Sequence, residues 1–437
     1  MTEAIFRGLL GIAVLIGLCA LLSTSRKSIN WSLVGGGIVL QILLAFLILM
    51  TPFGQVVDVI SGLFVKLFGF TDAGSGFLFG DLLDASKYGF AFKVLPIIIF
   101  VSALTSALYY IGALQWVVFG FAWVMKRAMK LSGAESLAAA ANVFVGQTEA
   151  PLVVKPYIAK MTRSEIMALM TGGMATIAGS VFGLYIVTLA GENPEAQVEV
   201  ARRLLTASMM NAPAALLVAK MMVPETGTVD EQLFVPRDQH GSNLLDALAR
   251  GTSEGVKLAL NVAAMLLVFV ALIAMFNAVF GWIGHLGADA EAGTPGIVDG
   301  WVRTASGGNF DGFSLEALVG FVFAPLAWVM GGENGDLLQL GQLLGTKMVT
   351  NEFIAYTQLA DLQSAEAMGP RSIFLATFAL CGFANFSSIG IQLGGIGALA
   401  PEQRPTLAAL GFKAMFGGTI ASLLTASVAG MFFHVVG

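Results

Sequence analysis

Residues 142–156 read N-V-F-V-G-Q-T-E-A-P-L-V-V-K-P, and the interpretation of this stretch decides the fold. Asn142, Gln147, Thr148, Glu149 and Lys155 are mixed with Gly146, Pro151 and Pro156 in a chain otherwise suited to lipid. A charge in hydrocarbon costs about 2.5–3.5 kcal/mol on insertion scales, so an acid kept there marks a functional site. Irregular backbone at membrane depth survives only where protein or a water-filled cavity satisfies its freed peptide groups. The simplest structure is two short helices meeting at a tip, residues 146–150, with Pro151 opening the second. Such a segment is a re-entrant hairpin aimed at a binding site.

The surrounding composition agrees. Of 437 residues, 57% are hydrophobic and 12% charged, and the mean hydropathy is +0.82. Soluble proteins carry about 25% charged residues, so the chain is expected to be an all-α polytopic membrane protein. The longest polar stretches, 224–255 and 287–312, are too short for a soluble enzyme domain. The net charge of −5 identifies no partner, and no basic patch points to nucleic acid. Cys19 and Cys381 both sit in apolar runs and are expected to be buried free thiols. The first apolar segment has Glu3 ahead of it and Arg26 and Lys27 behind it, with no A-x-A site, so it is expected to be a retained span.

Taken in order, span one covers about residues 5–22 and span two about 31–51. Arg26 and Lys27 between them assign that loop to the cytoplasm and the N-terminus to the outside. Residues 55–70 form an amphipathic interfacial helix with Asp58 and Lys66, followed by a polar stretch over 71–87. Span three lies near 92–111, and 115–130 is a surface helix ending in a basic cluster. After the hairpin come span four (165–189), the acidic external turn G-E-N-P-E, span five (204–223), a polar stretch with Arg237 and Arg250, and span six (256–280). The external loop 287–312 leads to a shallow helix at 313–330. The segment 332–362 then holds G-T-K-M-V-T-N-E-F-I-A-Y, with Glu352 beside Asn351. A seventh span contains C-G-F-A-N-F-S-S-I-G, and the eighth covers about 406–435.

The two halves share an order: surface helix, hairpin with an acid at its tip, span interrupted at mid-length, plain span. The interruptions are A-T-I-A-G-S-V at 175–181 and F-A-N-F-S-S at 383–388. An odd number of spans separates the hairpins, so they enter from opposite sides. The expected architecture is therefore about eight transmembrane helices plus two re-entrant hairpins in an inverted repeat. Interrupted segments at matching positions of inverted halves point to the central site of a secondary transporter.

Ionised Glu149 and Glu352 accept hydrogen bonds, and Gln147, Thr148, Asn351, Asn385 and Ser388 both donate and accept. No arginine accompanies them, so the set suits a neutral hydroxyl-rich solute better than an anion. Phe383 and Val181 offer an apolar wall to a flat ring. Half-helix carbonyls with Asn142 and Thr176 suit a hard cation such as sodium. Each residue has a plainer reading. Glu149 as a cap or a partner of Lys155, Thr176, Ser180 and Ser388 as helix-packing residues, and Phe383 as core all remain open. His240, His285 and His434 are too scattered for a metal site. The absence of Walker A, H-E-x-x-H and G-x-S-x-G elements weakens ATP hydrolysis and intramembrane enzymology. An enzyme using Glu149 and Glu352 as an acid/base pair, and a passive channel, stay as rival classes.

G-Q-T-E-A-P at 146–151, N-E-F at 351–353 and G-F-A-N-F-S-S-I at 382–389 closely resemble the concentrative nucleoside transporters of bacterial type. The resemblance spans nearly the whole chain, with three motifs in order. It implies a sodium-coupled, elevator-type importer of uridine-like nucleosides in the bacterial inner membrane, assembled as a homotrimer in the lipid bilayer, with both termini periplasmic. It implies no cofactor beyond sodium as coupling ion; proton coupling is the alternative. Residues 1–114 (spans one to three and the amphipathic helix) and 256–312 (span six and the external loop) would be scaffold. Residues 115–255 and 313–437, each with a surface helix, a hairpin and two spans, would form the transport domain. Gln147, Thr148, Glu149, Val181 and Phe383 correspond to nucleobase-binding residues, and Glu352, Asn385 and Ser388 to ribose-binding ones. Asn142, Val145, Thr176 and Ile177 correspond to the sodium site, the valine and isoleucine through backbone carbonyls. Thr176 stands where serine is usual, which keeps the hydroxyl, and the 287–312 loop exceeds what a minimal member needs.

Overall fold

A computed structural model describes residues 2–83, 91–92, 95–227, 242–288 and 294–433. Arg237, His240 and His434 lie outside the described residues. The chain opens with α1 (Thr2–Leu21) and α2 (Trp31–Met50), the latter N-capped by Asn30, whose Oδ1 accepts from Leu33 N at 3.2 Å. α3 (Gly54–Phe79) follows. α4 (Leu95–Tyr110) and α5 (Ala113–Met129) meet at a 79° bend, where Gly112 adopts φ +84°. The expected surface helix therefore turns sharply away from span three.

The first half continues with α6 (Gly133–Asn142), a seven-residue tip at 143–149, and the one-turn helices α7 (Ala150–Val153) and α8 (Lys155–Ile158). Next come α9 (Arg163–Ala175), α10 (Gly179–Ala190) and α11 (Pro194–Met222). Both α6 and α9 start with capping boxes, Ser132 with Glu135 and Thr162 with Glu165. These boxes belong to a buried cluster. Lys220, near the end of α11, pairs with Glu135 and, at 3.0 Å, with Glu225, which also accepts from Thr162 Oγ1 at 2.8 Å. The cluster binds the starts of α6 and α9 to the end of α11.

The second half has α12 (Leu244–Gly284), α13 (Ile297–Ala305), α14 (Leu315–Val329), α15 (Leu337–Val349) and α16 (Glu352–Ser364). It closes with α17 (Pro370–Leu380), α18 (Phe386–Leu399) and α19 (Arg404–Gly430). The two halves pack alike: α6 against α9 and α9 against α11, α15 against α17 and α17 against α19. α11 and α19 pack on each other between the halves. The most apolar window of α11 is 94% buried, whereas that of α12 is 6% buried. The core thus runs along α11, and α12 presents most of its side chains outward, apart from its packing on α4 and, toward its C-terminal end, on α13 and α14.

Among the described residues six helical stretches are long and apolar enough to cross a membrane, one of them α9 with α10. The other two expected spans are α4, with 16 residues, and the α17–α18 pair, whose halves have 11 and 14. The interruptions at 175–181 and 383–388 appear as breaks at 176–178 and 381–385.

Several boundaries differ from expectation. The amphipathic helix runs on to Phe79, because Thr71 and Ser75 continue the buried face of Phe68. Span five begins at Pro194, since Asn193 caps the helix and Arg202 and Arg203 find Asp58 and Glu199. Span six begins at Leu244, capped by Asn243, with Asp246 paired to Arg250 one turn on. The 287–312 loop contains α13, fixed by buried Asp299, which accepts from Phe313 N at 2.8 Å and meets His285 at 3.2 Å. Cys19 and Cys381 are buried and free.

At the second break Gly382 has φ +143°, and a Cβ there would lie 2.4 Å from the carbonyl oxygen of Ala175. Only glycine lets the breaks approach this closely. Gly382→Ala should destabilise the protein by about 2 kcal/mol or more from strain and overpacking. The check is a lower thermal midpoint in detergent, against an unchanged midpoint for Gly390→Ala, where a Cβ meets nothing within 4 Å.

Candidate functional site

The first tip docks on the first break. Gly179 N donates to the carbonyl of Phe144 at 3.1 Å. A Cβ on Gly179 would come within 2.6 Å of that oxygen, and one on Gly146 within 3.0 Å of Ala178 Cβ. Ser208 Oγ on α11 donates to the carbonyl of Val143 at 3.1 Å. Asn142, Val145, Thr176 and Ile177 are thereby gathered at one junction, each at most 2% exposed. The Asn142 side chain faces Gly172 of α9, where a Cβ would sit 3.2 Å from Nδ2. Among the described residues neither Nδ2 nor Oδ1 of Asn142 has a hydrogen-bond partner. Among the described residues, nothing donates to the carbonyls of Val145 or Ile177. The Thr176 hydroxyl donates to the carbonyl of Gly172 at 2.9 Å, which leaves its lone pairs free. A buried amide without partners is costly. One amide oxygen, two carbonyls and a hydroxyl oxygen form a donor set that fits a hard cation of sodium's type.

The second cluster joins both halves. Asn351 caps α16 by accepting from Ile354 N at 2.9 Å, which sets Glu352 in the first turn of that helix. Asn385 caps α18 by accepting from Ser388 N at 2.9 Å, while its Nδ2 donates to Glu352 Oε2 at 3.0 Å. Glu352 Oε1 accepts from the Tyr185 hydroxyl at 2.8 Å. Gln147 Nε2 donates to Ser388 Oγ at 3.0 Å, and Gln392 Nε2 donates to Gln147 Oε1 at 3.0 Å. Hence Gln147, Glu352, Asn385 and Ser388 form one buried chain of polar groups. Thr148 is exposed at the tip and faces α18 near Gly395, while Phe383 is half-buried in the second break. Val181 is buried in the first turn of α10. Glu149 Oε2 accepts from Gly146 N at 2.8 Å, so that oxygen stabilises its own tip rather than reaching toward the other cluster.

Sequence reasoning passed over four residues here. Tyr185 follows Val181 by one helical turn, and Gln392 follows Ser388 by one turn, so an i, i+4 search from the chosen residues finds both. Asn211 donates from one Nδ2 to the carbonyls of Ala175, at 2.7 Å, and Cys381, at 2.8 Å. Lys347 is 2% exposed and donates to the carbonyl of Ala379 at 2.9 Å. Among the described residues no group of three or more His, Cys, Asp and Glu gathers as a metal site.

Comparison with known proteins decides the family. Residues 10–82 and 203–430 match the N- and C-terminal parts of the Na+ dependent nucleoside transporters, and residues 91–192 match a nucleoside recognition gate. The chain belongs to the concentrative, Na+ dependent nucleoside transporter family. It is 41% identical to an uncharacterized transporter of Haemophilus influenzae over 98% of both chains. It is 39% identical to the uncharacterized transporter YutK of Bacillus subtilis, over 97% of this chain and 98% of that one. Rat sodium/nucleoside cotransporter 1 is 38% identical over 97% of this chain, which spans 63% of the rat protein. CNTnw in an inward-facing substrate-bound state superposes with a TM-score of 0.86 at 38% identity, over 98% of this chain and 99% of that one. These likenesses make the chain an all-helical polytopic transporter rather than an enzyme, and the acid/base reading of Glu149 and Glu352 falls away.

The unpartnered amide supports a measurement independent of transport. Asn142→Leu removes two buried unsatisfied groups at similar volume, which is worth about 1–3 kcal/mol in sodium-free buffer. The thermal midpoint should therefore rise without sodium and no longer respond to it, whereas that of the unaltered protein should climb as sodium is added.

Proposed function

We propose that the chain imports uridine-like nucleosides by sodium symport across the bacterial inner membrane. The observation that carries this reading is the partnerless amide of Asn142, at the end of α6 and five residues before Gln147 on the tip that follows. A cation taken up by Asn142, Thr176 and the carbonyls of Val145 and Ile177 would hold the tip on the first break. The same tip carries Gln147, Thr148 and Glu149, assigned here to the nucleobase together with Val181 and Phe383. Ion binding therefore prepares the nucleoside site, and by linkage the nucleoside tightens ion binding equally. Glu352, Asn385 and Ser388 are assigned to the ribose hydroxyls, with Tyr185 holding the Glu352 carboxylate in orientation. Each sodium ion also draws on the membrane potential, about 2.3 kcal/mol per charge for 100 mV.

Movement is assigned to an elevator step. The two hairpins with α9–α11 and α17–α19 form the carrier, and α4 with the long outward α12 forms the fixed core. α1 and α2, expected in the scaffold at residues 1–114, pack on α11 and α19. Gln41 of α2 donates to the carbonyl of Met210 at 3.2 Å and to Thr425 Oγ1 at 3.1 Å. This packing favours carrying both spans with the moving body. The apolar outer face of α12, where Leu260, Leu267 and Trp282 are each more than 60% exposed, suits burial against lipid or against two further copies in a homotrimer. Arg26 and Lys27 after α1 favour periplasmic termini.

The test is uptake of radiolabelled uridine into proteoliposomes. Accumulation above equilibrium with an inward sodium gradient, and none with potassium at matched pH, is expected; accumulation driven by pH alone would reassign the ion to the proton. Glu352→Gln should cost uridine about tenfold or more in affinity, as expected for losing a charged hydrogen-bond acceptor. The 3′-deoxy analogue should lose less, and equal losses would remove Glu352 from the ribose site.

A further inference from the structure

We infer that Lys347 is a tethered cation occupying the counterpart, in the second half, of the sodium site of the first, so that the transporter carries one coupling ion per nucleoside. The inference rests on the assignment of sodium to Asn142. The two halves stand in matching relation there. Asn142 lies in the last turn of the first hairpin helix, α6, and faces Gly172 in the last turn of the half-helix α9. Lys347 lies in the last turn of the second hairpin helix, α15, and faces Ala379 in the last turn of the half-helix α17. In the second half the carbonyl end of a helix that stops inside the protein, the negative end of its dipole, meets the hairpin residue directly, and in the first half the hairpin residue lies beside the corresponding last turn.

The first half answers that end with a neutral amide whose two polar atoms have no partner. The second half answers it with an ammonium. Lys347 Nζ donates to the Ala379 carbonyl at 2.9 Å and to Ser422 Oγ at 3.4 Å, and Ser422 Oγ in turn shares its one hydrogen between the carbonyls of Cys381 at 3.2 Å and Gly418 at 3.1 Å. Among the described residues Lys347 makes no ion pair with a carboxylate. A buried ammonium with no carboxylate in contact is costly; here carbonyl and hydroxyl oxygens take its hydrogen bonds, as they would ligate a bound alkali cation, while the Glu352 carboxylate acts on its charge from beyond contact distance. Asn211 ties the two ends together by donating to both Ala175 and Cys381. The difference between halves is thus one of source: one charge arrives from solution, and the other is built into the chain.

Lysine as a positioning residue predicts a change in stoichiometry, which a merely structural lysine would leave alone. In proteoliposomes, the nucleoside gradient that just balances a tenfold sodium gradient at zero potential should be tenfold for the unaltered protein. For Lys347→Gln, which restores a neutral amide and vacates the charge, it should approach a hundredfold, with sodium dependence turning sigmoidal. An unchanged tenfold balance in an active Lys347→Gln trimer, or a hundredfold balance in the unaltered protein, overturns the proposal. If Lys347→Gln does not assemble, the converse Asn142→Lys decides. It should bind uridine without sodium, within about tenfold of the sodium-saturated unaltered protein, and binding that is lost or still needs sodium overturns the proposal. Failure of the underlying sodium assignment is distinguishable, because it appears as sodium-independent uptake by the unaltered protein.

Discussion

One side chain holds the centre of this transporter. The Asn211 amide, fully buried on α11, donates to the carbonyls of Ala175 and Cys381, where the interrupted helices of the two halves end. Both oxygens belong to backbone left open by a break, at a depth where lipid offers no donor. A single Nδ2 with two hydrogens satisfies both and sets the distance between the breaks. Gly382 then has to be a glycine, because the second break is drawn against Ala175 closely enough to exclude a Cβ. The hairpin tips, the polar chain from Gln147 to Glu352 and the cation junction at Asn142 all hang from these two breaks.

The same constraint explains why polar residues concentrate where they do. An α-helix satisfies its own peptide groups, so continuous spans such as α2 need little beyond an Asn30 cap. Each interruption instead exposes helix ends, and the chain meets them with asparagine: Asn351 and Asn385 cap α16 and α18, and Asn211 takes the carbonyls. Asn385 does two jobs at once, since its oxygen caps a helix while its nitrogen holds Glu352. Structural repair of a broken membrane helix and presentation of a recognition group are one arrangement. That economy suits a family whose binding site is built from half-helices.

Whatever depends on local chemistry was legible in the sequence. The tips, the breaks at 176–178 and 381–385, and Asn142, Gln147, Glu352 and Asn385 follow from Gly, Pro, Asn and acids set in apolar runs. Helix starts were less legible, because hydropathy registers apolar content and not caps. α11 and α12 each begin well before their apolar runs, at Asn193 and Asn243, where charged first turns still form helix. Long-range pairings were not legible, even where an i, i+4 step singles out the residues that make them. Tyr185 meets Glu352 across 167 positions and Gln392 meets Gln147 across 245, separations that only the folded inverted repeat closes. Lys347 looked like part of a motif, and its environment emerged only once α17 was seen to end beside it.

The two tips are of unequal length, and the inequality has a thermodynamic meaning. Seven residues separate α6 from α7, whereas Thr350 and Asn351 alone separate α15 from α16. Fixing backbone costs about 1–2 kcal/mol per residue, so organising the longer tip is far more expensive than setting the shorter one. Under the proposed assignment, the sugar meets a rigid subsite that is already formed, while the base meets one that must be assembled on every cycle. A rigid polar subsite rejects an analogue by leaving its own groups unpaired. A tip that is re-formed each time can close around rings of different outline, with apparent affinity scaled by the fraction of molecules in which it is formed. Discrimination would thus be strict at the sugar and graded at the base, and the graded part would be set by how much sodium is present.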